Sequence, residues 1–212
     1  MKSTKTRIIE ASVDLFNQKG FVNVTLRDIA EQVGISVGNL AYHFKNKEMV
    51  LEKVYENLDQ ELQSMWSGIQ LRPSFNNIDG KIVQFLQFQH KYLFFFLDML
   101  ELNRAYPKIA EVNQKSLNLS LENIRVMIDY SVGIGAMKQE AYEGAYQRLA
   151  HSVWMVLCFW IAQQQIRGSH CKCSEEARKE VWNLVLPYLT TKGWTSFRKL
   201  KEIAKELGGR TP

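Results

Sequence analysis

TLRDIAEQVGISVGNLAYHFKNKE, Thr25 to Glu48, holds two short amphipathic stretches around one glycine. In the first, Leu26, Ile29, Ala30 and Val33 recur at helical spacing and mark an inward face from Leu26 to Val33. Thr25 followed three residues later by Asp28 has the form of a capping box, with Asp in place of the usual Glu. Gly34 supplies the positive φ that a tight turn needs. Ser36 is placed to cap a second short helix, Val37 to Phe44, whose hidden side is Ile35, Leu40 and Phe44. Val37, Gly38, Asn39, Tyr42 and His43 then face outward. Asn46 is placed to cap a fourth helix, with Lys47 at its positive end, where a phosphate is readily held. Two short helices joined by a glycine turn, behind a longer supporting helix, make a helix-turn-helix. The second helix has the length to enter a major groove about 12 Å wide, its first residues meeting base edges.

Outward from this stretch, nearly everything follows the helical period, and the expected fold class is all-α. The supporting helix spans Thr4 to Lys19, with Ile8, Ala11 and Leu15 in one row and Ile9, Val13 and Phe16 beside it, and Gly20 ends it as a left-handed cap. The fourth helix runs to about Ser67, with Val50, Val54, Leu58, Leu62 and Met65 in a stripe. LRPSFNNIDG, Leu71 to Gly80, reads as a connection. Further helices are expected near 79–91, 93–104, 107–131, 141–168, 174–190 and 195–207. Pro107 suits a first helical turn. Ser174 with Glu175 and Glu176 marks another start, acid at the positive helix end. This gives three segments: an N-terminal three-helix helix-turn-helix domain over 1–48 with its reading motif about 26–45, a larger helical bundle over 49–192, and a basic amphipathic helix over 193–212.

The chain has 212 residues, 46% hydrophobic and 23% charged, enough for a sizeable core. Net charge is +5, with the basic excess in residues 1–48 and 192–212, which suits an anionic partner such as nucleic acid as well as a merely basic tail. Three cysteines make no disulfide framework. Cys171 and Cys173 beside His170 lack a fourth ligand and the usual zinc spacing, so no metal and no cofactor is expected. The longest apolar run, Val153 to Ala162, is well short of the roughly 18 residues of a membrane span, and no secretory leader is evident, so a cytoplasmic protein without membrane contact is expected. No Ser/His/Asp order, glycine-rich phosphate loop or paired carboxylates point to an enzyme.

From Thr25 to Val54 the sequence resembles the TetR family of bacterial transcriptional regulators. The carrying residues are Thr25, Gly34, Ser36-Val37-Gly38, Tyr42-His43-Phe44 and Lys45-Asn46-Lys47-Glu48, with Phe16, Gly20 and Phe21 before them. The resemblance implies DNA contacts at Thr25, Arg27, Ser36, Val37, Gly38, Asn39, Tyr42, His43 and Lys47. Tyr42, Lys47 and, through its helix start, Thr25 would hold phosphates. Arg27 would reach a phosphate or a base, and Lys2, Lys5 and Arg7 would track the backbone as a basic arm. Three positions depart from the family pattern. Ala41 stands where a first aromatic is common. Val37 replaces a polar or basic residue and suits a thymine methyl, and Asn39 replaces Thr or Ser and suits a bidentate contact to adenine.

The stretch VWMVLCFWIA is apolar on all sides and must be buried against two surfaces. One is its own subunit; the other, as the resemblance also implies, is a second copy, in a homodimer through helices about 141–168 and 174–190. The aromatic-dense segment Ile82 to Leu102 suggests a site for a lipophilic or aromatic small molecule. Its lining would come from Phe88, Gln89, Tyr92, Phe96, Met99, Met127, Trp154 and Cys158, though each serves equally as plain core. The expected function is a ligand-responsive regulator, a repressor released from its operator by that ligand. The other open reading is a helical small-molecule-binding protein whose DNA role is lost or indirect, for which Val37 and Ala41 are the support.

Overall fold

The computed structural model of the chain describes residues 2–67, 74–168 and 174–208. Within them lie α1 (Thr4–Lys19), α2 (Leu26–Val33), α3 (Val37–His43), α4 (Lys47–Ser67), α5 (Phe75–Lys91), α6 (Leu93–Ala105), α7 (Pro107–Gly133), α8 (Ala145–Ile166), α9 (Ser174–Val185) and α10 (Thr191–Gly208). A 3₁₀ turn, Leu186–Tyr188, follows α9, and a single isolated bridge pairs Met137 with Leu189. The fold is all-α.

Helix starts follow local chemistry. The capping box at α2 forms in full: Asp28 N–H donates to Thr25 Oγ1 at 3.2 Å, and Thr25 N–H donates back to Asp28 Oδ2 at 2.7 Å. Ser36 Oγ accepts from Asn39 N–H at 3.1 Å, and Asn46 Oδ1 from Met49 N–H at 2.9 Å. α7 begins at Pro107, as its missing N–H favours. Gly20 has φ 75° but ψ 152°, so it closes α1 by positive φ without entering the left-handed helical region.

Several ends differ from expectation. α5 begins at Phe75, four residues before 79, because Ser74 and Asn77 cap each other: Asn77 N–H donates to Ser74 Oγ at 3.3 Å and Ser74 N–H to Asn77 Oδ1 at 3.1 Å. Gly80 lies inside that helix with open space where a Cβ would stand. α8 begins at Ala145, not 141, after a left-handed Gly144. α9 ends at Val185, since Pro187 cannot continue the ladder. α10 begins at Thr191, four residues early, held by Thr190: its Oγ1 donates to Gly135 O at 2.7 Å and accepts from Gly193 N–H at 3.2 Å. His170, Cys171 and Cys173 lie outside the described residues, as do the side chains of Ile203 and Leu207 on the basic C-terminal helix.

The chain forms two compact units, one of residues 1–64 and 88–116, the other of 65–87 and 117–212. The first has α1 across α2 and α3, with Ile8, Phe16, Val24, Ile29 and Leu40 fully or almost fully buried. α6 packs on α1, Phe94 meeting the Phe16 ring edge-on at 5.3 Å. The second has α8 against α9, with Ala150, Leu157 and Cys158 from α8 and Ala177 and Val181 from α9 in the core.

Candidate nucleic-acid interface and ligand cavity

α3 is seven residues long and α2 eight, too short to hold helix in isolation. Neighbours in the same unit fix them. Arg7 Nη2 on α1 donates to Val33 O, an end carbonyl of α2, at 2.5 Å. Gly34 follows in the left-handed conformation with φ 74° and ψ 41°. Leu40 is fully buried and anchors α3 from within.

The outward residues of α3 stand as the spacing implies. Val37 is 46% exposed and Tyr42 87%. Gly38 and Asn39 are exposed, and His43 is half-buried, its ring edge-on to Tyr42 at 5.3 Å. Arg27, exposed on α2, has no acceptor or acid partner among the described residues. All of these residues lie on the helix-turn-helix, Arg27 on α2 and the others on α3. At that exposure the Tyr42 hydroxyl has no hydrogen-bond partner among the described residues, which suits a sugar-phosphate partner.

Other cations and hydroxyls that the sequence pattern assigns to this surface already have partners. Lys47 Nζ donates to Phe21 O at 2.9 Å and Val22 O at 3.2 Å, and lies 4.3 Å from the centre of the Phe21 ring. Partial burial lowers its pKa, with Glu48 opposing. Lys2 pairs with Glu10 at 2.6 Å, and Lys5 lies 5.5 Å over the Phe44 ring. Thr25 Oγ1 donates to Asp28 Oδ2 at 2.5 Å. That hydroxyl, then the Thr25 N–H, with Lys19 at 3.5 Å adding charge, hold the Asp28 carboxyl below the usual range. Sequence reasoning missed this inner role of Arg7 and Lys47, because a long side chain's reach to a distant carbonyl has no local signature.

The second unit holds a partly open cavity of about 70 Å³. Its walls come from Trp66 on α4, Ile82 and Phe85 on α5, Met127 on α7, Leu157 on α8 and Trp182 on α9, with Met137 beside them. Of the residues anticipated for a ligand, Met127 lines it. Phe88, Gln89, Tyr92 and Phe96 are instead buried in the first unit, where Phe88 packs on Tyr92 and Phe96, and Met99 lies there half-buried. Trp154 packs edge-on to Phe159, and Cys158 is buried away from the cavity, its thiol pKa pushed up by burial. The aromatic-rich segment is therefore split, with Ile82 and Phe85 facing the cavity and the later aromatics in the other unit.

One wall of the cavity is held from behind. Asp79, 7% exposed, accepts Arg178 Nε at 2.6 Å and Nη2 at 2.5 Å, a two-pronged pair across α5 and α9. Trp182 Nε1 donates to the same carboxylate at 2.9 Å, and its ring sits between Phe75 and Phe197 at 5.4 and 5.0 Å. The Asp79 hydrogen bonds raise the Arg178 pKa above its ordinary value.

A family model described as a bacterial transcriptional repressor matches residues 46–197, and one for bacterial regulatory proteins of the tetR family matches residues 8–54. The probable helix-turn-helix regulator YttP of Bacillus subtilis is 33% identical over 94 residues, 42% of this chain and 45% of that protein. The chain thus spans less than half the length of that relative. Among solved structures, a TetR-family regulator from Marinobacter aquaeolei superposes with a TM-score of 0.86 at 24% identity, over 95% of this chain and 98% of the other. SmeT, repressor of a Stenotrophomonas maltophilia multidrug efflux pump, superposes with a TM-score of 0.64 at 16% identity over 90% and 92%, and has also been solved with triclosan. With models matching its reading motif and most of the chain beyond it, this chain belongs to the TetR family of bacterial transcriptional regulators.

Proposed function

We propose that the protein is a homodimeric repressor that binds operator DNA through α3 and leaves it when a small apolar molecule occupies the cavity. The observation that carries the reading is the outward face of α3, where Val37, Asn39 and Tyr42 are exposed on a helix whose ends and inner side are all secured. In this reading Tyr42 and Arg27 position the duplex by phosphate contacts, while Val37 and Asn39 meet base edges beside Gly38. Thr25, Ser36 and Lys47 serve chiefly by fixing α2, α3 and the turn between α1 and α2, and any phosphate they meet is met by backbone amides or by an ammonium shared with its carbonyls.

The dimer is proposed through α8 and α9. Met155, Phe159 and Ile166 of α8 are 57%, 40% and 86% exposed, and their spacing puts them on one face. Two reading helices then meet half-sites about 34 Å apart. A ligand that binds one conformation of the dimer more tightly shifts the population toward it, and DNA and ligand weaken each other's binding by the same factor. The match to a model of transcriptional repressors supports the sign of regulation, and triclosan held by SmeT supports an apolar effector.

The test is a fluorescence titration of the full chain with the promoter DNA next to its own gene, alongside a random duplex. Tyr42→Ala should weaken both by about tenfold, since phosphate contacts are blind to sequence. Asn39→Ala should weaken the promoter alone, by a similar factor. Binding that is insensitive to salt, or equal on both duplexes in the wild type, would overturn the repressor.

A further inference from the structure

Five helices carry most of the cavity wall, so its main-chain groups are largely spent in the helices' own ladders. The polar side chains on it are spent as well. Ser131 Oγ gives its proton to Met127 O at 2.8 Å, and Trp182 Nε1 donates to Asp79 at 2.9 Å. Lys81 Nζ donates to Met65 O at 2.5 Å, and the Trp66 indole nitrogen has almost no accessible surface. Among the described residues, the wall therefore presents almost no polar surface. It is made of the rings of Trp66, Phe75, Phe85 and Trp182, the thioethers of Met127 and Met137, and branched aliphatic side chains.

Such a wall discriminates through desolvation. A hydroxyl or amine that leaves water for it finds no partner, and an unmet polar group costs free energy. A carboxylate or ammonium costs far more. Carbon and halogen lose nothing of that kind and gain the burial of apolar area. The volume bounds the size. About 70 Å³ is smaller than the ~150 Å³ apolar cavity that takes benzene in another protein, and the flexible methionines can yield to one ring more readily than to two.

Resting on the cavity as effector site, we propose that the effector carries no hydrogen-bonding group: it is a hydrocarbon or halocarbon of about one ring, and molecules with a hydroxyl, amine or acid head are excluded. Trp182, fixed by Asp79 and packed on the Phe75 ring, supplies a rigid part of the wall, and Met127 and Met137 supply the adaptable part.

Isothermal titration of the full chain at pH 7 with toluene, phenol and benzoate tests this, toluene and phenol being nearly equal in shape. Toluene should bind at least about thirtyfold tighter than phenol, a larger gap than a hydroxyl with a partner would give, and benzoate should bind weakest. Methyl carbon NMR spectra of the methionines locate the site, with signals assigned through the volume-conserving Met127→Leu, Met137→Leu and Met155→Leu. Toluene should shift the Met127 and Met137 signals and leave that of Met155, exposed on α8, in place. Lys81→Met should leave the ratio of toluene to phenol affinity within about twofold, since the ammonium does not meet the occupant. A gap smaller than thirtyfold, with Met127 shifted, overturns the proposal and leaves the cavity as effector site; the ranking itself needs no variant. Benzoate binding as tightly as toluene, or a ratio that changes in Lys81→Met, overturns it too. No binding of toluene, or binding that leaves Met127 unmoved, sinks both the proposal and the effector site.

Discussion

Gly193 shows how far one residue can be constrained by a neighbour distant in sequence. A Cβ there would lie 2.1 Å from Ala136 O and 3.2 Å from Leu189 Cβ. The obstacle is backbone, which cannot swing aside, and it is itself fixed by Thr190 N–H, which donates to Ala136 O at 3.0 Å. Gly193→Ala should therefore destabilise the protein by about 2–3 kcal/mol, although alanine is the better helix former. Urea unfolding measures this; a midpoint at or above that of the wild type would mean that the first turn of α10 yields freely. Nothing at Gly193 in the sequence announces the contact, since the partner lies more than fifty residues away.

At the level of elements, capping chemistry was readable and long reach was not. Thr25 with Asp28, Ser36 and Asn46 each formed the cap that their spacing implied, because a cap is a relation over three residues. The start of α5 was missed because Asn77 takes the place of the acid of a capping box, within a stretch read as a connection. Where aromatics go was harder. Phe85 and Phe88 lie three apart on one apolar helix, yet one lines the cavity and the other the core of the first unit. A side chain facing a void and one facing a neighbour have the same hydrophobicity, so periodicity cannot part them. The Asp79 pair joins α5 to α9 with side-chain exposure of only 9% for Asp79 and 18% for Arg178. Arg178→Met should cost about 3 kcal/mol by stranding the carboxylate, and adding Asp79→Leu should restore part of it. A double-mutant cycle by urea unfolding should show a coupling of about 1–3 kcal/mol, and simple additivity would show the pair to be idle.

For the whole molecule, the family and the helix-turn-helix were legible from residues 25–54, because many positions agree there at fixed offsets, and the all-α fold from the helical period along the rest of the chain. The second unit was legible only as helices, since its cavity is assembled from five of them. Its outward stripe on α8 carries the quaternary prediction. Phe159→Glu should raise the dimer dissociation constant at least about tenfold, because each copy would bury a charge where the other buries a ring. Light scattering at micromolar concentration checks the mass, and the promoter titration should weaken in step. An unchanged mass would place the interface elsewhere.

The side-chain bonds that hold α2, α3 and the turn before α2 come from Arg7, Thr25, Ser36 and Lys47. The side chains of Val37 and Asn39 contribute none of them. In the proposed function, holding and reading thus fall to different residues. Substitutions at the two outward positions alter stability by no more than about 0.5 kcal/mol, the usual range for exposed sites. Through mutation and selection the preferred DNA sequence of such a regulator can therefore drift, one outward residue at a time, while the fold that presents it stays under constraint.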